Sequence, residues 1–184
     1  MRFNPHSNLL GQHALLSASK YHWINYDEEK MEMVFFSNMA AQRGTELHSL
    51  AHQLIRLGVK LPRTEATLSR YVNDAIGFRM TPEQILYYSD NCFGTADCIS
   101  FRKGVLRVHD LKTGKLPTSM HQLEVYAAHF CLEYRMKPFD ITTELRIYQN
   151  DDVRIDEADP DIITHVMDKI ITLDKQINVL RGEL

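Results

Sequence analysis

The sequence has few cysteines, no long apolar run and no excess of basic charge, and each shortage excludes a class of protein. Three cysteines among 184 residues, without a C-x-x-C pair, argue against a disulfide framework and a structural zinc site. No apolar stretch approaches the roughly 20 residues that span a bilayer. The formal net charge of -3 excludes a basic field over the whole protein. Together with the polar first residues, these shortages predict a cytoplasmic protein that does not enter membranes.

Length and local charge set the next limits. A chain of 184 residues suffices for one domain with its own core. We expect a single domain over 1–184, with a core at about 37–150, an N-terminal cap over 1–36 and a C-terminal helix at about 159–183. From Arg102 to Lys115 five basic residues stand against one acid, whereas residues 151–184 hold nine acids against four bases. The basic strip fits contact with a polyanion, and it equally fits a solvated hairpin.

Hydrophobic spacing predicts an α/β fold. Apolar residues recur at helical steps before Gly58 and again after Asp159, whereas residues on both sides of Gly104 alternate as in strands. The predicted elements are a helix at 37–57, a short strand at 64–68, a β-hairpin turning at 102–104, a helix at 119–134, a strand at 141–148 and a last helix at 159–183. This order indicates a small mixed β-sheet flanked by helices.

The predicted hairpin carries two acids and a lysine. Asp97 lies on the first strand, and Asp110 and Lys112 lie near the end of the second. Because strand side chains alternate, Asp110 and Lys112 project from one face while Leu111 turns into the core. Two carboxylates suit a hard divalent cation such as Mg²⁺, and a lysine beside them suits a crowded phosphate. The pattern favours phosphodiester hydrolysis, although a charged surface hairpin explains these residues as well.

Two further patterns flank the hairpin in the sequence. Gly44 and His48 lie on the first long predicted helix, and Gln122 and Tyr126 lie four apart on the helix that follows Lys112. In chain order the four patterns read G-x-x-x-H, G-x-x-D, D-x-K and Q-x-x-x-Y. This set resembles the RecB-type branch of the PD-(D/E)XK nucleases, which includes helicase-associated nucleases, CRISPR-associated exonucleases and phage exonucleases. The resemblance covers about residues 40–135 and implies a restriction-endonuclease-like fold.

The resemblance implies a metal-dependent DNA nuclease, in particular an exonuclease acting in DNA processing, recombination or degradation. It implies Mg²⁺ or Mn²⁺ as cofactor and Lys112 as the catalytic lysine. Metal ligands would be His48, Asp97, Asp110 and the Leu111 carbonyl, with Glu65 as a further acid on a preceding strand. Site support or DNA contacts would come from Gln122, Tyr126, Lys115 and Arg43.

Two departures from the family pattern refine these expectations. Ala96 stands where the name motif has proline, a change that the branch tolerates. Iron–sulfur members use one upstream cysteine and three after the Gln–Tyr helix, whereas this chain has only Cys131 after Tyr126. We therefore expect no iron–sulfur cluster. The resemblance implies DNA as the partner in a bacterial or phage-infected cell, and leaves open a single-strand-annealing or helicase partner and homo-oligomerisation.

Two other functions compete with nuclease activity. His48 and His52 form a helical H-x-x-x-H that can bind zinc, but a zincin-type protease needs glutamate where Ser49 stands. The stronger alternative is a catalytically silent subunit on the same fold that binds DNA or serves in assembly. Silent branches of the superfamily usually lack the lysine or an aspartate, and this chain retains both.

Overall fold

The structure, a computed structural model, describes residues 4–9, 11–12 and 14–182. Within these residues the chain forms four α-helices, five β-strands and three short 3₁₀ segments. The helices are α1 (Glu28–Leu57), α2 (Thr67–Gly77), α3 (His121–Glu133) and α4 (Pro160–Gly182). The strands are β1 (Thr81–Ser89), β2 (Cys92–Arg102), β3 (Val105–Leu111), β4 (Thr142–Gln149) and β5 (Asp152–Glu157). The 3₁₀ segments are Ser7–Leu9, Ala18–Asn25 and Pro138–Asp140.

The chain divides into two compact units, residues 1–43 and 44–184. In the first unit the Asp27 carboxylate accepts a hydrogen bond of 2.8 Å from the Lys30 N–H and so caps the start of α1. The Trp23 ring N–H donates to the Ser17 carbonyl at 2.8 Å. The expectation of one domain over the whole chain stays a prediction, and residue 183 of the expected C-terminal helix lies outside the described residues.

The second unit confirms the α/β class with a mixed sheet. Its strands, over the described residues, form one sheet in the order β1-β2-β3-β4-β5. Neighbouring strands are antiparallel except for β3 and β4, which run parallel from Val105–Thr142 to Leu111–Tyr148. A parallel pair needs a crossover, and α3 provides it between β3 and β4.

Helices cover both faces of this sheet. On one face α3 and α4 pack on a cluster that includes Leu86, Leu106, Leu123 and Ile163. On the other face α2 and the second half of α1 pack on the remaining core residues: Ala51, Ile55, Tyr71, Val72, Ala75, Met80, Cys98, Leu111 and Tyr148. Packing in these layers removes the apolar surface of the strand residues from water, and this burial is the main stabilising contribution.

The hairpin between β2 and β3 forms where the sequence predicts it. Its turn residues, Lys103 and Gly104, both have positive φ, of 51° and 76°. Two consecutive positive φ angles match the twist of antiparallel strands, and glycine adopts one of them without steric cost. The turn therefore fixes the register that pairs Arg102 with Val105 and Cys98 with His109.

The structure differs from the predicted elements before β2 and after β4. Residues 64–68 form no strand, because they are irregular up to residue 66 and then begin α2. β1 begins at Thr81 and was not predicted, because Pro82 near its start is typical of a turn and not of a strand. β5 was missed because it is short and mostly charged, with an apolar alternation of only two residues, Val153 and Ile155.

Within the residues that the structure describes, no helix combines the length and the apolar character needed to cross a bilayer.

Candidate active site

The predicted site lies where β2 and β3 separate. Their ladder ends at the pair Cys98–His109. Beyond this pair, residues 92–96 of β2 pair with β1, and residues 110–111 of β3 pair with β4. On the edge of β3 that no longer pairs with β2, the Leu111 N–H donates a hydrogen bond of 2.9 Å to Asp97 Oδ2. A carboxylate thus satisfies a backbone donor that the sheet leaves unpaired. We call this opening, with Asp97, Asp110 and Lys112 around it, the fork.

Asp110 is the buried acid of the fork. Its residue is 2% exposed, and Oδ1 accepts a hydrogen bond of 2.9 Å from Lys112 Nζ. Its other oxygen, Oδ2, is buried without a hydrogen-bond partner. Burial raises the pKa of the Asp110 carboxyl, and the Asp97 carboxylate raises it further, whereas Lys112 and His48 act in the opposite direction. A buried oxygen without a donor is costly, and a bound cation would remove that cost.

Lys112 joins the fork to α3. Its Nζ donates to Gln122 Oε1 at 2.9 Å as well as to Asp110, and Gln122 Nε2 donates to the Tyr126 hydroxyl at 3.2 Å. Gln122 and Tyr126 are one helical turn apart, so a single face of α3 presents both. The structure therefore brings together the D-x-K and Q-x-x-x-Y patterns in one hydrogen-bonded chain.

His48 brings the first pattern to the same place. Its Nδ1 lies 3.5 Å from Asp97 Oδ2, and the two side chains are 33% and 24% exposed. Gly44 lies one turn earlier on α1, and a Cβ there would meet Thr113 Oγ1 at 2.8 Å. The glycine of G-x-x-x-H thus permits a close approach between α1 and the segment that follows β3.

The glycine of G-x-x-D has a similar steric reason. A Cβ on Gly94 would lie 3.1 Å from Tyr126 Cε1. This distance is tighter than ordinary van der Waals contact, so a larger residue would displace the Tyr126 ring. Gly94 therefore permits β2 to pack closely on the face of α3 that carries Gln122 and Tyr126.

Glu65 does not lie where the resemblance implied. It occupies a bend before α2, is exposed and pairs with Arg70 at 3.1 Å, so the expectation that a strand carries it is wrong. The acid on the strand before β2 is Glu83, which follows Pro82, the partner of Cys98, and precedes Gln84, the partner of Ala96. Its carboxylate lies 2.9 Å from His52 Nδ1. Sequence reasoning missed Glu83 because Thr81-Pro82 reads as a turn.

Three other predicted residues have no side chain in this hydrogen-bonded set, although Leu111 joins it through its backbone N–H. The Leu111 side chain is buried in the core, as alternation predicts, and the role of its carbonyl stays a prediction. Lys115 is exposed in the loop after β3, whose carbonyls at Gly114 and Leu116 accept hydrogen bonds from Gln149 Nε2. Arg43 is the last residue of the first unit and is exposed on α1, and its contact with DNA stays a prediction.

The donor set of the fork fits Mg²⁺ or Mn²⁺. Among the described residues, no three His, Cys, Asp or Glu side chains already converge on a point that a metal ion could occupy. Mg²⁺ does not need such a cage, since it commonly keeps several waters and uses one or two carboxylates together with substrate phosphate. Asp97 and the unpartnered Oδ2 of Asp110 supply such carboxylates.

No protein-family model matches the chain, and no curated protein matches it at a significant level. The resemblance to the RecB-type branch therefore depends on the four patterns and on the way the fold assembles them. Their residues are up to 82 positions apart, from Gly44 to Tyr126, and they meet at one end of the β2–β3 ladder.

Proposed function

We propose that the chain is a Mg²⁺- or Mn²⁺-dependent deoxyribonuclease that hydrolyses phosphodiester bonds at the fork. The observation that carries this proposal is Asp110, a buried carboxylate that has Lys112 on one oxygen and no partner on the other. A carboxylate in this state is poorly explained as a structural ion pair, because an unsatisfied buried oxygen destabilises the fold. It is well explained as a metal ligand.

Asp97 and Asp110 would hold the metal, with His48 beside Asp97. When bound, the metal supplies charge neutralisation at the phosphate and a nucleophilic water at neutral pH. The protein contributes the positions of the ligands. The Leu111 N–H fixes Asp97 Oδ2, while Lys112 fixes Asp110 Oδ1, so neither carboxylate has to reorganise when the cation binds.

Lys112 contributes positive charge next to these carboxylates. Its Nζ is shared between Asp110 and Gln122, which orients the ammonium towards the fork. A fixed ammonium stabilises the negative charge that accumulates on a phosphate as a water attacks it, and it can donate a hydrogen bond to that water. Tyr126 holds Gln122 in turn, so both residues are positioning residues for Lys112.

The proposal extends to the biological setting that the resemblance implies. An exonuclease of this kind would act in DNA processing, recombination or degradation. It would work in the cytoplasm of a bacterial or phage-infected cell, because its substrate is there. A helicase or a single-strand-annealing protein would supply or use its DNA strands.

A catalytically silent DNA-binding or assembly subunit is the second candidate. The observation that favours it is the direct pair between Lys112 Nζ and Asp110 Oδ1 at 2.9 Å, since an ion pair of this kind can also be a structural element. The unpartnered Oδ2 of Asp110 weighs against it. Both functions predict DNA binding, and only the nuclease predicts metal-dependent cleavage.

Purified protein should degrade end-labelled linear DNA when Mg²⁺ or Mn²⁺ is present, and EDTA should stop the reaction. Closed circular DNA of both single- and double-stranded form, tested in parallel, distinguishes an exonuclease, which needs an end, from an endonuclease. Asp110→Asn is the informative variant, because it keeps the size of the side chain while removing the charge that holds the cation.

One control tests whether the variant folds, and the other removes a matched charge elsewhere on the protein. Asp110→Asn should keep the circular dichroism spectrum of the wild type, and Asp140→Asn, an exposed residue remote in sequence, should cleave normally. Full activity in Asp110→Asn would contradict the proposal. DNA binding without cleavage under every divalent cation would favour the silent subunit.

A further inference from the structure

A second charged feature lies at the other end of the β2–β3 ladder. A cavity of about 420 Å³ is lined there by Gly77, Phe78, Arg79, Arg102, Lys103, Val105 and Arg107. Four of these seven residues are basic, and none is acidic. This concentration of positive charge contrasts with the net charge of -3 for the whole chain. We call this cavity the basic pocket.

One guanidinium of the basic pocket is held in a defined position. Arg107 has a side chain that is 21% exposed, and its Nε donates to Glu144 Oε1 at 3.1 Å. Its guanidinium carbon lies 4.6 Å from the centre of the Phe78 ring, a cation–π contact. Because Glu144 takes Nε and the Phe78 ring covers one face, the terminal nitrogens of Arg107 remain to bind an anion in the cavity. An arginine fixed in this way loses little side-chain entropy on binding an anion.

The other three cations are exposed around this fixed group. Arg79 follows α2 and Lys103 lies in the hairpin turn, and both have positive φ, of 53° and 51°. Arg102 ends β2 beside Lys103. Glu144, the acid nearest to Arg107, is also bonded by Arg146 at 2.9 Å, so its charge is divided between two guanidinium groups. The pocket therefore keeps a net positive charge.

This chemistry selects a phosphate group. Guanidinium groups bind phosphate oxygens with two parallel hydrogen bonds, and lysine adds a mobile point charge. A cavity with four cations and no acid in its lining favours an anion with more than one negative charge, or a chain of such anions. DNA, the substrate proposed for the fork, presents phosphates at regular intervals along each strand.

We propose that the basic pocket binds a backbone phosphate of the DNA on which the fork acts. The assignment of DNA rests on the proposed function, whereas the phosphate chemistry follows from the pocket itself. Val105 and Asp110 are five residues apart on β3, which corresponds to about 17 Å along the strand. Because strand side chains alternate, Arg107 and Asp110 project from opposite faces of the sheet, so the path between the two sites is longer than this. A DNA strand advances about 3.4 Å per nucleotide, so a strand that reaches from the fork to the pocket needs at least about five nucleotides.

The test measures DNA binding by fluorescence anisotropy with EDTA present, so that no cleavage occurs. The variant is Arg79→Gln combined with Lys103→Gln, two exposed residues outside the fork. The matched control is Arg135→Gln combined with Lys137→Gln, which removes the same charge from two other exposed positions and includes an arginine with a positive φ of 54°. The probes are a duplex of about 20 base pairs and a single strand of three nucleotides.

The expected result is a loss of affinity for the duplex of about fivefold for each lost phosphate contact near physiological salt. The slope of log K against log salt should become shallower by about 0.9 for each contact. The control variant should keep the affinity and slope of the wild type. Metal-dependent cleavage of the trinucleotide should be equal in wild type and pocket variant, because this strand cannot reach the pocket.

Three outcomes would overturn the proposal. Unchanged duplex binding in the pocket variant, or an equal loss in the control variant, would show that these cations make no specific contact with DNA. Binding of inorganic pyrophosphate to the wild-type pocket, with no effect of the pocket variant on DNA binding, would assign the pocket to free phosphate compounds. Failure of wild type to cleave any DNA would instead contradict the function of the fork, while the pocket's affinity for DNA phosphate could still be measured.

Discussion

The two ends of the β2–β3 ladder are built from the same two strands but have opposite chemistry. At the turn the strands remain paired from Cys98–His109 to Arg102–Val105, and the charges are basic and mostly exposed. At the fork the strands separate, and the acid Asp110 becomes buried with an unpartnered oxygen. Exposed charges act weakly and over a distance, whereas a buried charge acts strongly on its immediate neighbours. The comparison teaches that the fork can control a reaction rate, while the basic pocket can control only affinity.

The largest effect should come from the lysine of the fork. Lys112→Ala should lower the rate of metal-dependent DNA cleavage about a thousandfold, since it removes a preorganised charge at the reacting phosphate. Single-turnover cleavage of end-labelled DNA measures this rate. Lys137→Ala, which removes an exposed lysine, should cleave like the wild type. A Lys112→Ala rate within tenfold of wild type would mean that the fork affects the reaction no more than an ordinary charged surface does.

His109 lies at the fork end of the ladder and predicts how stability depends on pH. Burial, together with Arg146 and Arg107, lowers the pKa of His109 to about 3. Since the unfolded chain binds this proton near pH 6.5, stability is lost as the pH falls below that value. From pH 7 to pH 5, this residue should reduce the free energy of unfolding by about 2 kcal/mol. Urea titrations at both pH values measure the change.

The matched variant for that prediction is His109→Asn, which cannot be protonated in this range. Its stability should depend less on pH than that of the wild type, whatever its absolute stability. Tyr148 donates its hydroxyl proton to Asp74 at 2.8 Å, which leaves its oxygen free to accept from His109 Nδ1 at 3.3 Å. Equal pH dependence in wild type and variant would mean that folding does not lower the pKa of His109.

A smaller effect should follow from the close contact between β2 and α3. Gly94→Ala adds a Cβ about 3.1 Å from Tyr126, and the ring must shift by a few tenths of an ångström. This shift weakens the support that Tyr126 gives to Gln122 and Lys112, so cleavage should slow about fivefold while the protein stays folded. Gly114→Ala, where no atom lies within 4 Å of the added carbon, is the control. Equal rates in both variants would show that the steric contact does not position the fork.

Much of the fork could be predicted because its residues follow local rules. Alternation along a strand places Asp110 and Lys112 on one side and Leu111 in the core. Helical spacing places Gln122 and Tyr126 on one face of α3. The hairpin turn could be predicted because glycine at residue 104 suits a positive φ. Each of these features depends on residues only a few positions apart.

What could not be predicted depends on tertiary placement. The strand ladder ends at Cys98–His109, beyond which β3 pairs with β4 alone, and no local pattern shows this. The same holds for the bond from the Leu111 N–H to Asp97 and for the burial of Asp110 Oδ2. Glu83 was overlooked in favour of Glu65 because Pro82 obscured the beginning of β1. The basic strip was visible in the sequence, but the cavity that three of its residues, Arg102, Lys103 and Arg107, line together with Arg79 was not.

The central claim is that the fork is a metal site that serves catalysis, and calorimetric titration with Mn²⁺ tests it most directly. Wild type should bind Mn²⁺, Asp110→Asn should lose this binding, and Lys112→Ala should keep it although it cleaves DNA about a thousandfold more slowly. These three results would distinguish metal binding, which needs Asp110, from catalysis, which also needs Lys112. Equal Mn²⁺ binding by wild type and a folded Asp110→Asn variant would contradict the account.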